Sequence, residues 1–214
     1  MPTTISSRVG GGSAVANSEE RIVQEARERQ RQQGIGYAKA NSPKSPFRGL
    51  TGNQQPEISV LSWLKNRNKC NQFVGDVLTK AGLGMPTFRM PDGTKHFMHA
   101  EALPNQRNYF ERRNHPHEIV PGDLMVIDTP GVGENTAHVE IVTEFRDAGT
   151  QGVESMRLST IGAIVEGVVE RDRSQLLRGA AWENGDGDGG FFRKGSIKTF
   201  FLRPLAVLKN SSGL

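Results

Sequence analysis

One cysteine, Cys70, and five histidines (His96, His99, His115, His117 and His138) are the side chains on which nucleophilic chemistry can be built. A thiol attacks as its thiolate and needs a base to take its proton. That base is most often an imidazole brought close by the fold rather than by the sequence. Four of the histidines sit in polar, proline-containing surroundings that read as loop or short-helix surface. His138 differs, because it opens the apolar run AHVEIVT at 137–143 directly after a loop containing Gly and Asn. Its ring therefore stands at the end of a predicted strand, on rigid backbone, as a nucleophile–base pair requires. Cys70 heads the run CNQFVGDVLTKA, in which positions 70, 73, 74, 77, 78 and 81 share one helical face. Asn66 or Asn68 can cap this helix, and Gly82 stops it. In its first turn a thiol lies beside unpaired backbone N–H groups and the positive end of the helix dipole, which favours the thiolate. The plainer readings are a small buried hydrophobe at Cys70 and a strand-edge cap at His138.

The elements that must position this pair follow from the rest of the pattern. Residues 1–17 hold nothing to bury, and 18–33 read as a thinly amphipathic helix with Ser18 as N-cap and Gly34 as stop. Residues 34–56, rich in Pro and Gly, read as linker. These divide the chain into a flexible basic arm with a marginal helix over 1–56 and a globular domain over 57–214. Within the domain a short helix is expected around 98–112. Strands are expected at 124–127 after the Pro121-Gly122-Asp123 turn, then at 137–143, 155–159, 163–170 and 197–204, with a loop tip at 185–190. One helix followed by about five antiparallel strands is an α+β domain with the Cys-bearing helix packed on the sheet.

Length and charge narrow the function. The chain has 214 residues, enough for one packed domain and a tail, with a net charge of +4. The charge is concentrated, since residues 1–50 carry eight Lys or Arg against four Glu, leaving 19 of each sign in 51–214. A neutral globular part without a reading motif argues against nucleic acid as a partner. No stretch approaches the length of a membrane span, and residues 1–12 lack the apolar core of a secretory signal. A single Cys excludes an internal disulfide framework. His96, His99, His115 and His117 read as surface or groove-lining groups rather than zinc ligands, so no metal and no cofactor is expected. Asp186 and Asp188 read as a solvated hairpin tip, Trp63 and Trp182 as core or groove-wall aromatics, and Gly131 and Gly133 as too short a pair for a phosphate cradle.

Taken in order, NKCNQFVGDVLTKAGLGMP, PGDLMVID and HVEIVTEF resemble the NlpC-type and CHAP-type papain-like cysteine peptidases and amidases, over about residues 66–171. The resemblance implies a papain-like fold and hydrolysis of amide bonds, most often in peptidoglycan peptides, through a thioester acyl-enzyme. It makes Cys70 the nucleophile and His138 the base, with the Cys70 N–H as one oxyanion donor; the second donor is left unassigned, a side chain just before the helix, such as Asn66 or Asn68, being able to supply it. Relatives carry a His, Asn, Gln or Glu on the strand after the His strand to orient the imidazole. Here that stretch offers only Ser159 or Thr160, while Glu140 shares a sheet face with His138. A Cys–His dyad without a third residue is the remaining alternative.

The leading expectation is thus a lysin or secreted antibacterial effector that cleaves cell-wall peptides. It would be made in the cytoplasm without a signal peptide and delivered to the periplasm or cell wall by a non-classical route such as type VI secretion. An immunity protein or a chaperone or delivery protein would be its partner. Two rivals share the residues: a protein-directed acyltransferase or deamidase on the same fold, and a non-catalytic binding module with a degenerate papain-like fold.

Overall fold

The computed structural model describes residues 12–37, 69–89, 91, 93, 95–130, 137–147, 155–185 and 189–206. The elements, in chain order, begin with α1 (Gly12–Gln33), a 3-10 turn at Gly34–Tyr37 and α2 (Cys70–Lys80). They continue with β1 (Thr87–Arg89), β2 (Lys95–Phe97), a 3-10 turn at Ala100–Asn105, β3 (Phe110–Arg112), β4 (Leu124–Asp128), β5 (His138–Arg146), β6 (Arg157–Ile164) and β7 (Gly167–Asp172). The last are α3 (Ser174–Leu177), β8 (Ala181–Asn184), β9 (Gly190–Lys194) and β10 (Ile197–Pro204). Strands β7-β6-β5-β4-β10-β9-β8 form one sheet in that order, β3 adds to β10, and β1 pairs with β2 as a separate hairpin. Every pairing is antiparallel. The molecule is therefore α+β with few helices and a mostly antiparallel sheet.

The period-2 pattern of β4 explains how the core is split. Leu124 and Val126 face one side and join Val139, Ile141 and Ile161 under α2, whereas Met125 faces the other and joins Val142, Leu158, Phe192 and Phe201. On α2 the residues expected on one face, Cys70, Phe73, Val74, Val77, Leu78 and Ala81, are all buried. The helix ends as its sequence implies. Gly82 takes φ of 83°, its N–H bonds Thr79 O at 3.1 Å, and the Leu83 N–H bonds Leu78 O at 2.8 Å. This is the paired-bond geometry of a glycine-terminated helix.

Several expectations are corrected. The main sheet holds eight strands rather than about five, because β3, β8 and β9 are only three to five residues long and carry little periodic signal. The strands expected at 155–159 and 163–170 are one hairpin whose turn is at Val165-Glu166, so Ala163 belongs to β6. The helix expected around 98–112 is a 3-10 turn followed by a strand. Ser18 is not a cap, since α1 begins at Gly12 and runs through it.

The expected boundary near Glu57 lies outside the described residues. On its N-terminal side, Ile22 and Ala26 of α1 and Tyr37 of the following turn are buried in the same core as α2. Polar contacts tie this segment to both layers. Arg203 of β10 pairs with Glu19 at 2.9 Å, Arg27 with Glu170 of β7 at 2.7 Å, and the Tyr37 hydroxyl donates to Asp76 of α2 at 2.6 Å.

The Pro121-Gly122-Asp123 turn is structural. Gly122 has φ of 93° and lies against the α1 backbone, where an added Cβ would stand 3.0 Å from the Glu19 Cα. Asp123 is fully buried and accepts two bonds from Arg113, at 2.7 and 2.8 Å, and one from the Val120 N–H at 3.1 Å. Removing one partner of a buried pair leaves the other charged and unmet. Asp123→Ala is therefore expected to lower stability by about 3–5 kcal/mol, read as a fall in the denaturant midpoint at unchanged slope.

Candidate active site

Cys70 is the first residue of α2 and is 4% exposed. Its sulfur is hydrogen-bonded to the His138 ring and to the backbone N–H groups of Asn71 and Val139. The Asn71 N–H is one of the groups that a helix start leaves without an intrahelical acceptor. Burial alone would push the thiol up; the His138 bond and charge, together with the two N–H groups, reverse this and place it below its ordinary value. Asn66 and Asn68, the expected caps and second oxyanion donor, lie outside the described residues. The N-cap position is Lys69, which makes no side-chain cap. Lys69 is instead buried and donates from Nζ to Gly36 O at 3.2 Å, which ties the helix start to the turn after α1. Burial pushes its ammonium down to about 8.

His138 is the first residue of β5 and pairs across to Ile127 of β4. Its Nε2 lies 2.7 Å from Glu140 Oε1, which leaves Nδ1 to face the thiol. The pleat of β5 explains the contact, since residues two apart on a strand project from the same face. Glu140 has no solvent exposure. Besides the His138 bond, its oxygens accept bonds from Thr160 Oγ1 of β6, from Nη2 of Arg171 on β7, and from Arg173 through Nε (3.0 Å) and Nη2 (2.6 Å). Burial would push Glu140 up; His138, Arg173 and Arg171 together hold it well below the usual carboxylate range. For His138, burial works against the charged ring, but the bonds to Cys70 and Glu140 outweigh it and raise the imidazole to about 9. Thiol and ring thus shift in opposite directions, toward a thiolate–imidazolium pair with a carboxylate behind it.

The three residues weighed as orienters separate in space. Glu140 meets the ring. Thr160 meets Glu140 and not the ring. Ser159 points elsewhere, into an open polar depression of about 440 Å³ lined with Arg27, Thr143, Glu144, Glu170, Arg171 and Asp172. A β-bulge at Val142 and Glu144 shifts the β5–β6 register, which is why counting along the strands did not decide between these positions.

The other histidines stay apart from this cluster. His96 and His99 pack near Phe88, with ring centroids 5.7 and 5.1 Å away, and His115 stacks on His117 at 5.3 Å. Among the described residues no group of three or more His, Cys, Asp or Glu is placed to hold a metal. Trp182 packs edge-on against Phe192 at 4.8 Å and donates to Asn114 O, as a wall of the second core. Trp63, Gly131, Gly133, Asp186 and Asp188 lie outside the described residues.

Sequence reasoning missed Arg171, Arg173 and Gly162. The strand expected over 163–170 stops short of both arginines, and only their i, i+2 spacing hints at one face of a strand. Gly162 lies opposite Glu140, where a Cβ would stand 2.6 Å from Glu140 Cγ and 3.1 Å from its Cβ. Gly162→Ala is therefore expected to displace the carboxylate and cost about 1–3 kcal/mol, measured by chemical denaturation. Comparison with protein-family models, with curated proteins and with solved structures finds no match.

Proposed function

We propose that the protein is a thiol-dependent hydrolase of amide bonds, with Cys70 as nucleophile, His138 as general base and then acid, and Glu140 as the group that orients the ring. One observation carries this reading. A thiol at the head of a helix is hydrogen-bonded to an imidazole whose other nitrogen is held, at 2.7 Å, by a carboxylate with no access to water. A structural cysteine needs neither partner.

In this reading the Cys70 thiolate adds to the scissile carbonyl, forming a C–S bond while the carbonyl π pair moves to oxygen. The Cys70 N–H, at the helix N-terminus, serves in this reading as one donor to that charge. The C–N bond then breaks as the His138 imidazolium gives its proton to the leaving amine, which leaves a thioester. Water, deprotonated by the now neutral His138, forms a C–O bond at the thioester carbon as the C–S bond breaks, which releases the acid product and restores the Cys70 thiolate beside a protonated His138. The papain-like arrangement and peptidoglycan peptides as substrate rest on the resemblance over residues 66–171. They are supported by the Cys-bearing helix that packs across β5 and β6.

The pair is tested by the rate of Cys70 alkylation with iodoacetamide from pH 4 to 9. Wild type is expected to react well below the free-thiol value of about 8.5. His138→Ala is expected to lose that low-pH reactivity, and Cys70→Ala to lose both labelling and hydrolysis. Hydrolysis of purified peptidoglycan is expected to fall as the pH rises through about 9, where His138 loses the proton that the leaving amine needs. Alkylation, which needs only the thiolate, should not fall there. A thiol inert until the protein unfolds would sink the enzyme reading in favour of a binding module. Product capture by an added amine in place of water would favour the acyltransferase.

A further inference from the structure

We propose that Arg171 and Arg173 are positioning residues of the Cys70–His138 pair, acting through Glu140 by fixing its carboxylate in the orientation that holds the ring against the thiol. This rests on the reading of Cys70 and His138 as nucleophile and base.

The geometry carries the assignment. Glu140 Oε1 is shared by His138 Nε2, Arg171 Nη2 and Arg173 Nη2, and Oε2 by Thr160 Oγ1 and Arg173 Nε. Arg173 holds both oxygens, and a two-pronged bond of this kind fixes the plane of a carboxylate as well as its position. Thr160 and Arg171 approach from β6 and β7, and the missing side chain of Gly162 makes the space. Among the described residues, the charged or titratable groups bonded within this cluster are Cys70 from α2, His138 and Glu140 from β5, Arg171 from β7 and Arg173 from the turn after it.

Charge alone does not account for two arginines. One guanidinium neutralises one carboxylate. A second cation works against a protonated His138, since like charges disfavour the charged form. What the second arginine adds is constraint. A carboxylate pinned from two strands cannot rotate away from His138, so the ring stays aligned with the thiol. The two accounts part where a variant keeps the charge but loses the fork, or loses a neutral bond to the carboxylate, and this makes them separable.

The experiment compares alkylation rate against pH in the full chain for wild type, Arg171→Gln, Arg173→Gln, Arg173→Lys and Thr160→Val, with thermal melts to confirm folding. Under positioning, each Gln variant shifts the acid limb upward, with roughly tenfold slower labelling near pH 6 for a shift of about one unit. Arg173→Lys, which keeps the charge but not the fork, stays shifted. If the arginines act as charges only, removing one takes a cation away from the thiolate and the limb also rises, but Arg173→Lys then restores it and Thr160→Val leaves it in place. A downward shift, an unchanged limb, or recovery by Arg173→Lys would each overturn the proposal. If the arginine variants do not fold, Thr160→Val decides. Loss of its hydroxyl removes one of the two bonds to Oε2 without touching a charge, and a smaller upward shift is expected, with no shift counting against the idea. An inert wild-type thiol, or low-pH labelling that survives His138→Ala, would instead defeat the underlying nucleophile–base reading. A wild type that shows the His138-dependent thiolate alongside unshifted arginine variants would defeat this inference alone.

Discussion

A carboxylate cut off from water must have its oxygens met by donors, or it takes up a proton and ceases to be an ion. Glu140 meets that demand with five hydrogen bonds from four residues on three successive segments: His138 on its own strand, Thr160 on the next, and Arg171 and Arg173 on and just after the third. The demand reaches into the backbone as well, because the carboxylate fits only where Gly162 lacks a side chain. Sheet order, register and composition around β5–β7 are thus constrained by one ionised group. The cluster in turn sets the environment of the ring that faces Cys70.

The opposite side of the pair is organised by helix geometry. Cys70 is placed by the start of α2, and that start is held by Lys69, whose ammonium reaches Gly36 O rather than by an ordinary side-chain cap. Further along α2, Asp76 accepts from Tyr37 at 2.6 Å and from Gln72 at 2.8 Å, so the turn after α1 grips the helix at two levels. Cys70 and His138 therefore sit on separate layers, and each is anchored by contacts outside the pair itself. Most of those contacts are polar and buried, where an unmet partner is costly, so the alignment is not free to drift.

How much of this was legible in the sequence differs by element. The face of α2 was readable because a strong apolar period leaves few alternatives, and the strand at Ile197–Pro204 because its apolar run Phe200-Phe201-Leu202 is short and bounded by polar residues. The short strands β1, β2, β3, β8 and β9 were not readable, since none holds more than two apolar residues in a row, whereas the equally short β4 opens on the run Leu124-Met125-Val126-Ile127. The hairpin Val165-Glu166 was misplaced because Ala163 and Ile164 extend an apolar run across what is in fact the end of β6. At the site, the types and settings of Cys70 and His138 singled them out, and Glu140 stood among three candidates. The bulge in β5 and the two arginines had no local signature, since their roles exist only once three strands are side by side.

Strand β10 lies between β4 and β9 and also carries β3, although it follows all of them in the chain. By contrast β4 to β7 form an uninterrupted meander in which each strand pairs with its predecessor. Local pairings close cheaply and early, and distant ones close late. A chain emerging residue by residue from the ribosome can therefore assemble the meander that bears His138, Glu140 and Arg171 while the β8–β9 hairpin still has no strand to dock on. The joint between the two halves of the sheet is the last seam to be sewn.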